Sequence, residues 1–66
     1  SFMIKIIKKH PSRKWIITVI AIRDNKKLKY KLTRRIPELN VAETKIFFSK
    51  KKARKQFRQW LEEKDY

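Results

Sequence analysis

Apolar and basic residues alternate without a fault from Lys27 to Thr33. Leu28, Tyr30 and Leu32 fall on one side of an extended chain and Lys27, Lys29 and Lys31 on the other, the period of a half-buried strand. Upstream, Lys14 to Arg23 holds Trp15, Ile16, Ile17, Thr18, Val19, Ile20, Ala21 and Ile22, nearly all β-branched or aromatic, and predicts a second strand. Met3 to Lys9 is isoleucine-rich and predicts a third. His10-Pro11-Ser12-Arg13 separates these two, because Pro11 cannot donate to a ladder and Ser12 favours a turn. Asp24-Asn25-Lys26 is a hairpin turn. With no glycine in the chain, Asn25 is the residue expected to take a positive φ. Arg34 to Thr44 reads as irregular around Pro37 and Asn40, and Lys45 to Phe48 as a short fourth strand.

After Ser49 the period changes. Ala53, Phe57, Trp60 and Leu61 stand at i, i+4, i+7 and i+8, one apolar stripe of a helix that runs to about Glu63, with Ser49 placed to cap it. The charges on this helix are reversed. A helix N-terminus carries about +0.5 of a charge and favours acids, yet Lys50, Lys51 and Lys52 open it, and Glu62 and Glu63 close it. Each misplaced charge costs about 0.3–1 kcal/mol, which points to a use for those lysines other than stability.

The architecture expected is α+β. Three or four antiparallel strands (residues 3–9, 14–23, 27–33 and, as the fourth, 45–48) carry one C-terminal helix (50–63) packed on one face, in a single small basic domain over residues 1–66. The other sheet face has no second helix to cover it. The strand from Lys14 is apolar on both sides, with Trp15, Ile17, Val19 and Ala21 on one and Ile16, Ile20 and Ile22 on the other. Such a strand is normally buried twice, so the segment from Arg34 to Lys45, a second subunit or a ligand is expected over the open face. Trp15 is expected in a core or interface, or stacked on a base.

Composition narrows the partners. Twenty Lys and Arg against six acids give a formal net charge of +14 and a pI near 10.6. That charge repels itself unless a polyanion offsets it, which suggests nucleic acid, an anionic surface or an acidic protein. No apolar run approaches the roughly 18 residues that span a membrane, so no membrane partner is expected. There is no Cys, so disulfides and thiolate metal sites are excluded, and a reducing, cytoplasmic setting fits. His10 is the only imidazole and reads as a surface loop residue. The Lys- and Ile-rich, Glu-poor usage fits a low-GC coding bias, as in a phage or virus, a mobile element or an AT-rich host.

Catalysis is not expected. None of Asp24, Glu38, Glu43, Glu62, Glu63 and Asp65 pairs with His10 at a recognisable spacing, and there is no Cys nucleophile and no glycine-rich phosphate loop. The enzymatic reading that survives is a small basic ribonuclease, working with one His and a few Arg or Lys. No cofactor and no metal are implied.

Five short motifs carry a resemblance: Arg13-Lys14-Trp15 opening a strand, Arg23-Asp24-Asn25-Lys26 at a hairpin, the Lys-rich return from Lys27 to Lys31, Phe48-Ser49-Lys50-Lys51-Lys52-Ala53, and Trp60-Leu61-Glu62-Glu63. Together they resemble the N-terminal arm-type DNA-binding domain of tyrosine recombinases, the phage and transposon integrases, over Ser12 to Glu63. The resemblance implies a three-stranded sheet on a C-terminal helix, with the sheet face in the DNA major groove and Ser49 to Lys52 near the backbone. The chain departs from that family in lacking the turn glycine and in the stretch from Arg34 to Thr44. A second likeness is to double-stranded RNA-binding domains, whose last helix opens much as Ser49-Lys50-Lys51-Lys52-Ala53-Arg54-Lys55 does, although the first helix of that fold is missing here.

Double-stranded DNA binding is therefore the expected function. The cations expected at the interface are Lys27, Lys29, Lys31, Arg34, Arg35, Lys50, Lys51, Lys52, Arg54 and Lys55. The alternatives are double-stranded RNA binding, and a basic interaction protein that uses its apolar sheet face to form a homodimer or to dock on an acidic host protein.

Overall fold

The computed structural model describes residues 2–63 of the 66-residue chain. Ser1 and residues 64–66, which the expected domain and the acid Asp65 include, lie outside the described residues. The fold is α+β: β1 (Phe2–Lys9), β2 (Ile16–Asp24), β3 (Lys27–Ile36) and β4 (Val41–Phe47) form one antiparallel sheet in the order β1-β2-β3-β4, and α1 (Lys50–Glu62) packs on one face.

The β2–β3 and β3–β4 hairpins solve the absence of glycine with the residues at hand. Between β2 and β3 the turn is Asn25-Lys26, with φ 50° and 64°. Two consecutive left-handed residues give a primed two-residue turn, whose twist matches the strands it joins. Asn25 was expected there; Lys26 also adopts this conformation, which a side chain with a Cβ resists. Between β3 and β4, Pro37–Leu39 form a 3₁₀ turn with Pro at its start, and Asn40 at φ 52° ends it by donating its N–H to the Pro37 carbonyl at 3.1 Å.

This second hairpin corrects the expectation for Arg34 to Thr44. β3 continues through Ile36, and β4 begins at Val41 rather than Lys45, so Ile36 pairs with Val41 and Tyr30 with Phe47. The segment is part of the sheet and does not fold over the open face. Among the described residues four strands are present, and the last is a full member.

α1 begins as its sequence predicts. The Ser49 hydroxyl accepts a hydrogen bond from the Lys52 N–H at 3.3 Å, and the Ala53 N–H donates to the Ser49 carbonyl at 3.0 Å. The expected stripe is the packed one: Ala53 and Trp60 are buried, and Phe57 and Leu61 lie against them. Their counterparts on the sheet are Ile17 and Leu32, both fully buried, with Val19, Tyr30 and Phe47 at the margin. The helix sits on β3, β4 and β2, so β1 projects beyond it.

One expectation about the loop before β2 is overturned. His10 is buried rather than a surface residue, at 6% exposure. Its Nδ1 accepts from the Ser12 and Arg13 N–H groups, each at 3.1 Å, and its Nε2 donates to the Glu63 carbonyl at 3.0 Å. These partners require the proton on Nε2. Trp15 stands just before β2 and is half-buried, its ring centroid 5.0 Å from that of His10 and 4.7 Å from the guanidinium carbons of both Arg13 and Arg34. The ring lies against these residues of its own chain, in keeping with the core placement expected for Trp15.

Candidate nucleic-acid interface

Successive residues of a strand point to opposite faces, so the strand register decides which cations share a surface. Ile17, Val19, Tyr30 and Leu32 lie under α1. The residues of opposite parity therefore form the open face, and the pairing arranges them in rows. Lys9, Ile16, Arg35 and Ala42 make one row; Ile7, Thr18, Thr33 and Thr44 the next; Lys5, Ile20, Lys31 and Ile46 a third; Met3, Ile22 and Lys29 a fourth. Lys27 extends the β3 side beside the hairpin.

The rows give two columns of bases, Lys5 and Lys9 on β1 and Lys27, Lys29, Lys31 and Arg35 on β3, all exposed. They stand on either side of β2, about 10 Å apart at two inter-strand spacings. Between them run Ile16, Thr18, Ile20 and Ile22, each half-buried although no element among the described residues covers the face. Ile16 and Ile20 have a basic residue as cross-strand neighbour on both sides, and Ile22 has Met3 on one side and Lys29 on the other. Long basic side chains can lay their methylenes along such neighbours and keep the charge in water, which accounts for a strand apolar on both faces. At the centre, the Thr33 and Thr44 hydroxyls lie 3.2 Å apart.

Among the described side chains no acid lies on this face. Glu43 and Glu63 are engaged on the other side by Arg34, whose guanidinium donates to Glu43 Oε1 at 2.7 Å and to Glu63 Oε2 at 2.5 Å. Arg34 also lies 4.7 Å from the Trp15 ring and 5.3 Å from the Trp60 ring, with its side chain 18% exposed.

The structure therefore divides the expected site residues. Lys27, Lys29, Lys31 and Arg35 share the open face. Lys50, Lys51, Lys52, Arg54 and Lys55 are exposed on α1, which packs on the opposite face. Arg34 belongs to neither surface; it joins β3, β4 and the end of α1. Lys5 and Lys9 complete the open face and were not among the expected residues. The alternation Met3, Lys5, Ile7, Lys9 was visible in the sequence, but its face depends on the pairing of β1 with β2.

Among the described residues no group of His, Cys, Asp and Glu could hold a metal ion, and no helix is long and apolar enough to cross a membrane. No family model, curated protein or solved structure matches the chain.

Proposed function

We propose that this protein binds double-stranded DNA through the open face of its sheet. The observation that carries the reading is the pair of basic columns on β1 and β3 flanking the Ile and Thr side chains of β2, on a face with no acid among the described side chains. Lys5, Lys9, Lys29, Lys31 and Arg35 would meet phosphates. The Thr hydroxyls can hydrogen-bond base edges, and the isoleucines can contact thymine methyl groups, in a major groove about 12 Å wide that admits β-strands. The cations on α1 face away and would add long-range attraction rather than contacts to the same groove.

The uncovered isoleucines also suit a homodimer through this face. That reading ranks second, because a second copy would set the same basic columns against each other, and like charges brought together across strands are destabilising.

The test is fluorescence anisotropy with random-sequence double-stranded DNA and double-stranded RNA of equal length, at two salt concentrations. If about five phosphates are neutralised, log K for DNA falls against log salt with a slope of about −4.5. A flat salt response sinks the proposal. RNA bound as tightly as DNA moves it to the double-stranded RNA reading, and no binding to either assigns the charge to a protein partner.

A further inference from the structure

β1 is an edge of the sheet, and β2 is its one neighbour. Along an edge strand, alternate residues turn their N–H and C=O groups outward with no ladder partner, a ready template for another strand. Edges in natural proteins are commonly short, bulged or covered. This one is eight residues long, and every residue from Met3 to Lys9 is exposed.

A groove runs behind that edge. Because α1 sits over β3 and β4, the sheet surface between the helix and β1 is left open as an apolar channel of about 430 Å³. Ile4 and Ile6, both 53% exposed, form one wall. Phe57 forms the other, with Lys50 and Arg54 at its rim, and Ala21 lies in the floor. The lining contains no acidic residue, and neither does β1.

We propose that β1 takes up an extended acidic segment of a partner protein as a fifth strand, with the segment's apolar side chains in the groove between β1 and α1. The charges select the occupant. Side chains directly opposite in an antiparallel pair share a face, so an added strand would set alternate residues beside Ile4 and Ile6 and the intervening ones beside Lys5 and Lys9. Lys8, Lys50 and Arg54 lie on the groove side. The pattern that fits alternates apolar and acidic residues. Main-chain hydrogen bonds would supply affinity and the groove would supply specificity, as in other cases of strand addition. A second copy of this chain fits worse: pairing β1 with β1 gathers Lys5, Lys8 and Lys9 from both copies with no acid among them. The groove lies on the α1 side of the sheet, and the segment would meet the open face only at its edge, along Lys5 and Lys9; the proposal does not rest on DNA binding.

The test uses the full chain and a fluorescein-labelled peptide of eight residues alternating valine and glutamate. Two further versions carry N-methyl groups on alternate residues, one in each phase. The peptide is expected to bind, and N-methylation in the phase that faces β1 is expected to weaken it about tenfold or more through lost ladder bonds, while the other phase binds normally. A control peptide of the same length alternating valine and lysine should not bind. Ile6→Glu, at an exposed position, should abolish peptide binding and leave the circular dichroism spectrum and duplex DNA binding unchanged. Equal binding of the two N-methylated peptides, or no binding of the unmodified one, overturns the proposal. So does a concentration-dependent dimer in sedimentation that Ile6→Glu abolishes, which would give the edge to a second copy.

Discussion

The His10 imidazole donates from Nε2 to the backbone carbonyl of Glu63, 53 residues away, at 3.0 Å. The link ties the connection between β1 and β2 to the last turn of the helix, where carbonyls lack partners within the helix. The same ring organises its own loop by accepting from Ser12 and Arg13. His10→Ala would leave three backbone groups without their partner in a part-buried site, and is expected to cost about 2–4 kcal/mol in urea unfolding. His10→Asn can offer an acceptor to the loop but does not reach Glu63, so it should recover only part of the loss. A change below about 0.5 kcal/mol for His10→Ala would show that the tie contributes nothing measurable.

Arg34 has a structural task that the neighbouring Arg35 does not share. It holds Glu43 and Glu63 and lies against two indole rings, whereas Arg35 stands on the open face. Arg34→Leu should destabilise by about 1–2 kcal/mol, a figure reduced because both acids remain well exposed to solvent. Arg34→Lys should not restore it, since an ammonium can neither fork between two carboxylates nor stack in the same way. The salt slope of DNA binding should be unchanged in both variants. A slope reduced by about one unit would place Arg34 at phosphate instead.

Lys26 is held at φ 64° in the β2–β3 turn. A residue with a Cβ is strained there and glycine is not. Lys26→Gly produces the Asn-Gly pair favoured in primed turns and should raise stability by about 1 kcal/mol, seen as an increased midpoint of thermal unfolding. A lowered midpoint would mean that the Lys26 side chain makes a compensating contact.

The two basic surfaces can be separated by paired substitutions. Lys29→Gln with Lys31→Gln should lower the magnitude of the salt slope for duplex DNA by about 2 units. Lys51→Gln with Lys52→Gln should leave the slope within error and raise stability by about 0.3–1 kcal/mol per charge, because cations oppose the dipole at a helix start. The reverse assignment of slopes would move the interface to the helix.

Much of the fold was legible locally. The alternation from Leu28 to Leu32 sorted the two faces of β3, the Ala53, Phe57, Trp60 and Leu61 stripe named the packed side of α1, and Ser49 and Asn25 took the backbone roles their chemistry allows. Each of these depends on a few neighbouring residues. The fourth strand was foreshortened because Pro37 and Asn40 mark a break but not its length; the break is four residues, Pro37 to Asn40, and strands flank it closely on both sides. Ending β3 at Thr33 hid the parity that puts Arg34 beside Leu32 and Arg35 beside Lys31. His10 was misread because its partners lie at the far end of the chain.

Residue order and type by themselves determined the α+β architecture, the excess of positive charge and the two sides of each element, because period and side-chain chemistry act within one turn or one strand. The tertiary structure decided which cations stand together. Register across two hairpins sets Lys5 and Lys9 on the same face as Lys31 and Arg35, and the seat of α1 over β3 and β4 opens the groove beside β1. Both follow from long-range pairing and packing, in which a shift of one residue would send every side chain of a strand to the other face.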